Sequence, residues 1–462
     1  MQNIRDSLQA IVARDAISGK EPGTAARAKT GASQKRISWR AIFGLGLIFL
    51  IMVVLLQADW RPRRSPLDRG IDALTDGQRF DLVRWEAEAI SGKLTSVFRN
   101  SNEALTEEEE RALVRGYLVD ARRIGQLEDA IDEILSDPQG VDPIAATEQA
   151  RAEVAELRER LEERATEVET ILETQLAREI RALGLTTVGT GWPPPKLSFT
   201  EPPKLLVLSP RDRIERIRSV DLVSDLDNTD RETLEQAVAE QFDMVAYVTG
   251  IGGYGAWPAM IVNRFGLPWT TETIAHEWVH NYLAFHPLGW SFLQGGDAVT
   301  MNETVASIVG EELGLAVIET NYPELLPPPP VPSGEVPDPQ DGTEPDEFDF
   351  RQEMRATRLV VDEFLAQGLV EEAEAFMEAR RLTFVEHGYP LRVLNQAYFA
   401  FHGSYGTSPA ATDPIGPKME RLRQLSPSLQ AFLRLVDGLV DLEDLDAALE
   451  RLEGTAGEDS GA

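Results

Sequence analysis

The chain has 462 residues, enough for about two or three domains with one sizeable core. It contains no cysteine, so disulfides, thiolate catalysis and cysteine-ligated metal sites are excluded, and any metal site must use histidine and carboxylate ligands. The formal net charge is -32, although residues 1–40 are net basic. A body this acidic excludes nucleic acid as a partner, because phosphate binding needs clustered Lys and Arg.

The N-terminal part combines a polar tail with an apolar segment. Residues 1–36 are rich in Ala, Gly and Ser and are predicted to be a disordered basic tail. Residues 41–58 are uncharged and almost wholly apolar, and Trp39 and Trp60 flank them. The sequence therefore predicts a transmembrane anchor over residues 37–60. The basic tail favours a single-pass protein of the cell membrane, with the N-terminus in the cytoplasm and the acidic body on the opposite side.

Residues 61–184 are predicted to be helical. Thr106 and Glu109 form a capping box, and apolar residues recur behind it at near-heptad spacing. A second apolar stripe runs from about Ala145 to Leu183 at intervals of about 3.6 residues, which favours packing on neighbouring helices over a long two-stranded coil. The segment is either a stalk that forms a homodimer interface or a helical subdomain packed on the body.

Residues 185–452 are predicted to form one domain. Two β-like runs, Leu205–Leu208 and Met244–Val248, indicate a small β-sheet. The second run ends in a Gly-rich turn, residues 249–255, which lacks a dinucleotide fingerprint. This turn either holds an extended peptide by strand addition or is an ordinary sheet edge with a flexible loop.

The C-terminal part is predicted to be helical around a proline-rich insert. The insert covers residues 323–348 and has polyproline II character. Helices are then predicted over the ranges 350–366, 368–386, 391–401, 416–424 and 426–450. Residues 453–462 are predicted to be a disordered tail. The expected fold class is therefore mainly α (α+β).

The clearest chemical signal is an H-E-x-x-H sequence formed by His276, Glu277 and His280, in the helix-compatible segment Thr271–Phe285. Histidines four residues apart share a helical face, so both imidazoles can bind one metal ion. Glu277 is placed to accept a proton from a water activated by that ion. The pattern predicts a zinc site, with Zn2+ as the cofactor; the alternative is a helix that merely carries two core or surface histidines.

A catalytic zinc site needs a third protein ligand. His286 follows His280 closely, but Leu283 stands where the corresponding three-histidine pattern has a glycine that turns the backbone. Glu303 begins a second amphipathic helix, which is predicted to pack antiparallel to the first. The sequence favours Glu303 and leaves His286, or another carboxylate, as the alternative.

The N-E-x-x-A/S arrangement at Glu303 resembles the gluzincin metallopeptidases, which include thermolysin-like and aminopeptidase-like enzymes. This resemblance implies a thermolysin-like domain in which His276, His280 and Glu303 bind zinc and Glu277 is the general base. The wider layout is similar to a bacterial family of predicted aminopeptidases, although that family has alanine where this chain has Thr304.

The predicted function is that of a membrane-anchored zinc metallopeptidase, an aminopeptidase being one form, with a peptide or protein substrate. The alternatives are a catalytically silent scaffold that binds a partner and a zinc hydrolase of non-peptide amides.

The tetrahedral intermediate of such a hydrolysis carries a negatively charged oxygen, the oxyanion, which needs a hydrogen-bond donor besides the metal. Tyr405 and His402, in a cluster with Tyr398, are predicted to supply it, unless they are core or rim residues.

Overall fold

A computed structural model of the chain describes residues 65–99, 105–136, 142–185, 193–292, 295–326 and 348–459. The chain divides into two units, Met1–Arg64 and Ser65–Ala462, and every described residue belongs to the second. The predicted basic tail, the predicted anchor and most of the proline-rich insert lie outside the described residues.

The membrane prediction is corrected. Across the described ranges, no helix is both long and apolar enough to cross a bilayer. The longest helices there carry many charged side chains, which a lipid environment does not accommodate. The prediction of a single-pass protein of the cell membrane, with a cytoplasmic N-terminus, is therefore withdrawn; the segment on which it rested, residues 37–60, is not among the described residues.

The fold is mainly helical with two small sheets, which confirms the mainly α prediction. The helices are α1 Pro66–Leu74, α2 Leu82–Arg99, α3 Glu107–Ser136, α4 Pro143–Ala182, α5 Asn228–Phe242, α6 Leu267–Leu283, α7 Pro287–Ser291, α8 Asp297–Asn321, α9 Phe350–Ala366, α10 Val370–Glu386, α11 Gln396–His402, α12 Ile415–Leu425, α13 Leu429–Val436 and α14 Leu442–Asp459. The strands are β1 Leu197–Phe199, β2 Lys204–Pro210, β3 Arg218–Leu222, β4 Met244–Thr249, β5 Gly253–Tyr254 and β6 Ala259–Ile261.

The strands form two sheets of different character. The first is antiparallel with the order β3-β2-β4, and it contains both β-like runs that the sequence predicted. The second has the order β1-β6-β5, in which β1 is parallel and β5 antiparallel to β6. Its strands are only two or three residues long, which explains why no run of alternating residues indicated them.

Helices α3 and α4 form a hairpin that packs on the rest of the unit. Its apolar stripe, for example Val114 and Leu172, belongs to the same core as Val279 of α6 and Val309 of α8. An ion pair between Arg123 and Glu153 joins the two helices. The stripe is thus buried within this chain, and the homodimer stays a prediction.

Two buried carboxylates of α4 close the outer edge of β1. Glu173 accepts the backbone N–H of Leu197 at 3.1 Å, and Glu169 accepts that of Phe199 at 2.8 Å. Lys93 of α2 donates to both carboxylates, at 2.8 and 2.9 Å. The strand at the other edge of this sheet is β5.

Three C-terminal boundaries differ from the predicted ones. The helix expected at 391–401 begins only at Gln396, because the side chain of Asn395 caps it. The single helix expected over 426–450 is two helices, since the side chain of Asp441 accepts the N–H of Asp444 and starts a new helix. That last helix continues to Asp459, beyond the predicted start of the tail, and an ion pair between Arg421 and Glu453 supports its extension.

Candidate metal centre

Helices α6 and α8 are antiparallel and unusually close. A Cβ atom added at Gly314 of α8 would lie 2.6 Å from the Cα of Glu272, and one added at Gly310 would lie 3.1 Å from the Cβ of His276. Further toward the N-terminus of α8, Glu303 faces His276 and His280. Residues with increasing numbers on α8 thus lie beside residues with decreasing numbers on α6, as in antiparallel helices. Gly310 and Gly314 let the two backbones approach closely enough for the side chains of His276, His280 and Glu303 to converge.

Three side-chain atoms meet at one point between these helices. The Nε2 atoms of His276 and His280 are 3.0 Å apart, and the Oε2 atom of Glu303 is 3.5 Å from each of them. Ligand atoms of a tetrahedral zinc, with bonds of roughly 2.0 Å, lie about 3.3 Å from each other. Oε2 is also buried without a hydrogen-bond donor among the described residues. The nitrogen-rich donor set and this unpaired oxygen fit a zinc ion.

Asn302 fixes the orientation of one ligand. Its Oδ1 atom lies 2.8 Å from Nδ1 of His280. Because an amide oxygen can only accept, Nδ1 carries the proton and Nε2 keeps its lone pair for a metal. Hydrogen bonds of this kind hold metal-binding histidines in one tautomer and one ring orientation.

Burial and neighbouring charges shift the pKa values of Glu303 and Glu277 in opposite directions. Burial alone would raise the pKa of Glu303, but the positive charges that His280 and His276 carry when protonated outweigh it and hold this pKa well below its usual range. For Glu277 the balance is the reverse: burial raises its pKa despite the nearby histidines. Glu303 is therefore kept ionised as a ligand, whereas Glu277 is a stronger base than an exposed carboxylate.

The outer strand β5 lies directly over Glu277. A Cβ atom added at Gly253 would be 2.2 Å from Oε1 of Glu277, and one at Gly255 would be 3.2 Å from the Cβ of His280. Asn281 of α6 donates to the carbonyl of Ala256 at 3.1 Å and holds the segment in place. The Gly-rich turn of the sequence therefore brings one face of an edge strand against the base.

Of the two predicted oxyanion donors, Tyr405 is the one that the fold brings to the centre. Its ring centroid is 6.4 Å from that of His276. Burial, together with the charges of Glu303 and Glu277, holds the pKa of Tyr405 well above its usual value, so the phenol keeps its proton as a donor.

His402 instead packs away from the metal ligands. Its ring centroid lies 4.2 Å from that of Tyr398 and 6.0 Å from that of Tyr247 on β4, and burial lowers its pKa to about 4. The structure thus places His402 among aromatic side chains, and its role as an oxyanion donor stays a prediction. Helix α11 points His402 toward the sheet, whereas Tyr405 follows the end of the helix and turns toward α8.

His286 does not reach the centre either. Its Nδ1 atom is 2.9 Å from the carbonyl of Tyr282, its Nε2 atom is 3.6 Å from Asp437, and its ring stacks on Tyr282. Helix α6 continues through Leu283 without the sharp turn that would bring His286 back toward His280. Glu303 is therefore the third residue of the cluster with His276 and His280. His286 instead connects the end of α6 to Asp437, which follows α13.

Sequence reasoning assigned no role to Asn302, and it considered Gly253 only as part of the Gly-rich turn, residues 249–255. The signal for Asn302 was its place beside Glu303 on an amphipathic helix, which lets both residues face α6. No local signal pointed to Gly253, because its contact with Glu277 depends on how β5 crosses α6. No protein-family model, curated protein or solved structure matches this chain.

Proposed function

We propose that the protein is a zinc-dependent hydrolase of peptide bonds with a thermolysin-like centre. His276, His280 and Glu303 would hold the zinc ion, and Glu277 would be the general base. The observation that carries the proposal is the convergence of two Nε2 atoms and one unpaired Oε2 atom within 3.0 to 3.5 Å, next to a buried carboxylate. A purely structural pair of histidines would have no need of that carboxylate or of an unpaired buried oxygen.

A bound zinc ion supplies Lewis acidity to the carbonyl and to water. Glu277 does the proton transfer: it accepts the proton of the attacking water and returns it to the leaving amine. Its raised pKa suits both roles, because the carboxylate is basic enough to take the proton and the carboxyl acidic enough to give it up. Asn302 keeps the imidazole of His280 in the orientation that the centre requires.

Tyr405 is proposed as the hydrogen-bond donor to the developing oxyanion. Its phenol is protonated at neutral pH, and its ring lies beside that of His276. A preorganised donor of this kind typically contributes about 100-fold or more to turnover.

The position of β5 at the edge of its sheet favours a peptide over other amides. An extended chain can add to this edge through backbone hydrogen bonds, and it would do so close to the base, because Gly253 and Gly255 let β5 approach Glu277 and His280. A small non-peptide amide would gain nothing from the strand.

The test uses the full chain, loaded with zinc and incubated with a mixed peptide library. We expect about one zinc per chain and defined peptide products, with Glu277→Gln keeping its zinc and losing roughly three orders of magnitude in turnover. Zinc binding without cleavage of any peptide would identify a silent scaffold. Cleavage of simple amides alone would identify a non-peptide hydrolase, and absence of zinc would refute the proposal.

A further inference from the structure

Thr304 ties the segment that carries Tyr405 to the helix that carries Glu303. Its Oγ1 atom accepts the backbone N–H of Gly406 at 3.1 Å and donates to the carbonyl of Thr300 at 2.6 Å. Thr304 is wholly buried. One hydroxyl thus connects the residue after a metal ligand with the residue after the proposed oxyanion donor.

The segment fits tightly at this point. A Cβ atom added at Gly406 would lie 2.6 Å from Oγ1 of Thr304 and 2.7 Å from the Cα of Gly416 on α12. The backbone after Tyr405 therefore passes between α8 and α12 with no room for a side chain. Its amide N–H has to be paired there, and the hydroxyl of Thr304 is its partner.

We propose that Thr304 is a positioning residue, which sets the place of the Tyr405 phenol relative to the metal ligands. The bond to the carbonyl of Thr300 orients the hydroxyl so that its lone pair meets the N–H of Gly406. Glu303 and Tyr405 then move together, because adjacent backbone atoms anchor both. An alanine at this position could not form the link. The proposal rests on the proposed function, since the position of the phenol matters only if it serves catalysis.

A purely structural role for Thr304 makes a different prediction. In that case the loss of the hydroxyl would lower stability and would affect turnover equally with or without the phenol of Tyr405. A double-mutant cycle separates the two cases, since residues that act through each other are not additive. Ser307 gives a matched control: it lies on the same helix and its hydroxyl also bonds a carbonyl one turn earlier, that of Glu303.

The experiment compares Thr304→Val, Thr304→Ser and Ser307→Ala in the zinc-loaded full chain. Thr304→Val should lower kcat about 10-fold with KM and zinc content nearly unchanged, and Thr304→Ser should restore most of the loss. In the Tyr405→Phe background, Thr304→Val should have almost no further effect on kcat. Ser307→Ala should behave as the wild type. An undiminished effect of Thr304→Val in the Tyr405→Phe background would overturn the proposal.

Amide hydrogen exchange provides a readout that does not need activity. Thr304→Val should speed exchange at Gly406, whereas Thr304→Ser and Ser307→Ala should leave it slow. Slow exchange in Thr304→Val would also overturn the proposal, because the link would then not depend on the hydroxyl. If the wild type binds zinc and cleaves nothing, the proposed function fails, and the exchange result alone still shows whether the link exists.

Discussion

Replacing Gly253 by alanine places one methyl group directly against the carboxylate of Glu277. The new Cβ atom would lie 2.2 Å from Oε1 and 2.8 Å from Cγ of Glu277. Ordinary contact between a carbon and these atoms needs about 3.4 Å, so the carboxylate or strand β5 must shift by roughly 1 Å. Rotation of the carboxylate alone does not relieve the clash, because Cγ is also too close and the side chain is buried.

A shift of this size should slow hydrolysis without changing the binding of zinc. Displacing a reacting group by about 1 Å can cost roughly 100-fold in rate, and we expect that loss in kcat for Gly253→Ala. Zinc content should be unchanged, because the nearest contacts of the added Cβ are all with Glu277 and none with a ligand. The assay measures kcat, KM and bound zinc on the same preparation.

Gly250→Ala is the matched control, since a Cβ atom there would meet nothing within 4 Å. It lies in the same Gly-rich turn and should keep turnover within about twofold of the wild type. Wild-type turnover in zinc-loaded Gly253→Ala would refute the reasoning, because Glu277 would then not act from the position that the structure gives it.

Three other predictions concern the ligands, the donor and the core. Glu303→Ala should weaken zinc binding more than about 100-fold, since loss of an outer hydrogen bond alone costs 10–100-fold, whereas His286→Ala should bind zinc normally; elemental analysis and competition with a chelator measure both. Tyr405→Phe should lower kcat about 100-fold with zinc unchanged, and His402→Phe should lower it little; equal losses would return His402 to the site. Lys93→Met should reduce the free energy of unfolding by about 2–4 kcal/mol in urea titrations, because, of two buried carboxylates, it leaves Glu169 without a cation and Glu173 with Lys196 alone. Burial already raises the pKa of one of them, Glu169, and removing the cation raises it further. The loss of stability should therefore become smaller as the pH falls and this carboxylate takes up a proton. A loss independent of pH would contradict this account.

Local sequence patterns determined the parts of the site that lie on one helix. His276, Glu277 and His280 share a face because of helical periodicity, and that property is present in any helix with this spacing. The strands β2 and β4 were likewise visible, because they are long enough for a run of β-branched and apolar residues.

Only the tertiary structure decided which residues far along the chain lie beside His276, Glu277 and His280. Glu303 and His286 were both plausible third ligands, and the close packing of α6 on α8 at Gly310 and Gly314 brought Glu303 into reach. In the same way, the direction of α11 separated Tyr405 from His402. Such contacts depend on helix packing and on where a loop crosses another element.

The same reason explains the helical hairpin and strand β5. An apolar stripe has the same spacing whether it covers a partner chain or its own body, so the pattern in α3 and α4 could not distinguish a stalk from a packed subdomain. A strand of two residues has no periodicity at all, and Gly253 acquires its importance only through the carboxylate of Glu277 beneath it. The periodicity of one helix or strand can be predicted from the residues of that element alone, whereas contacts between elements depend on the packing of the whole unit.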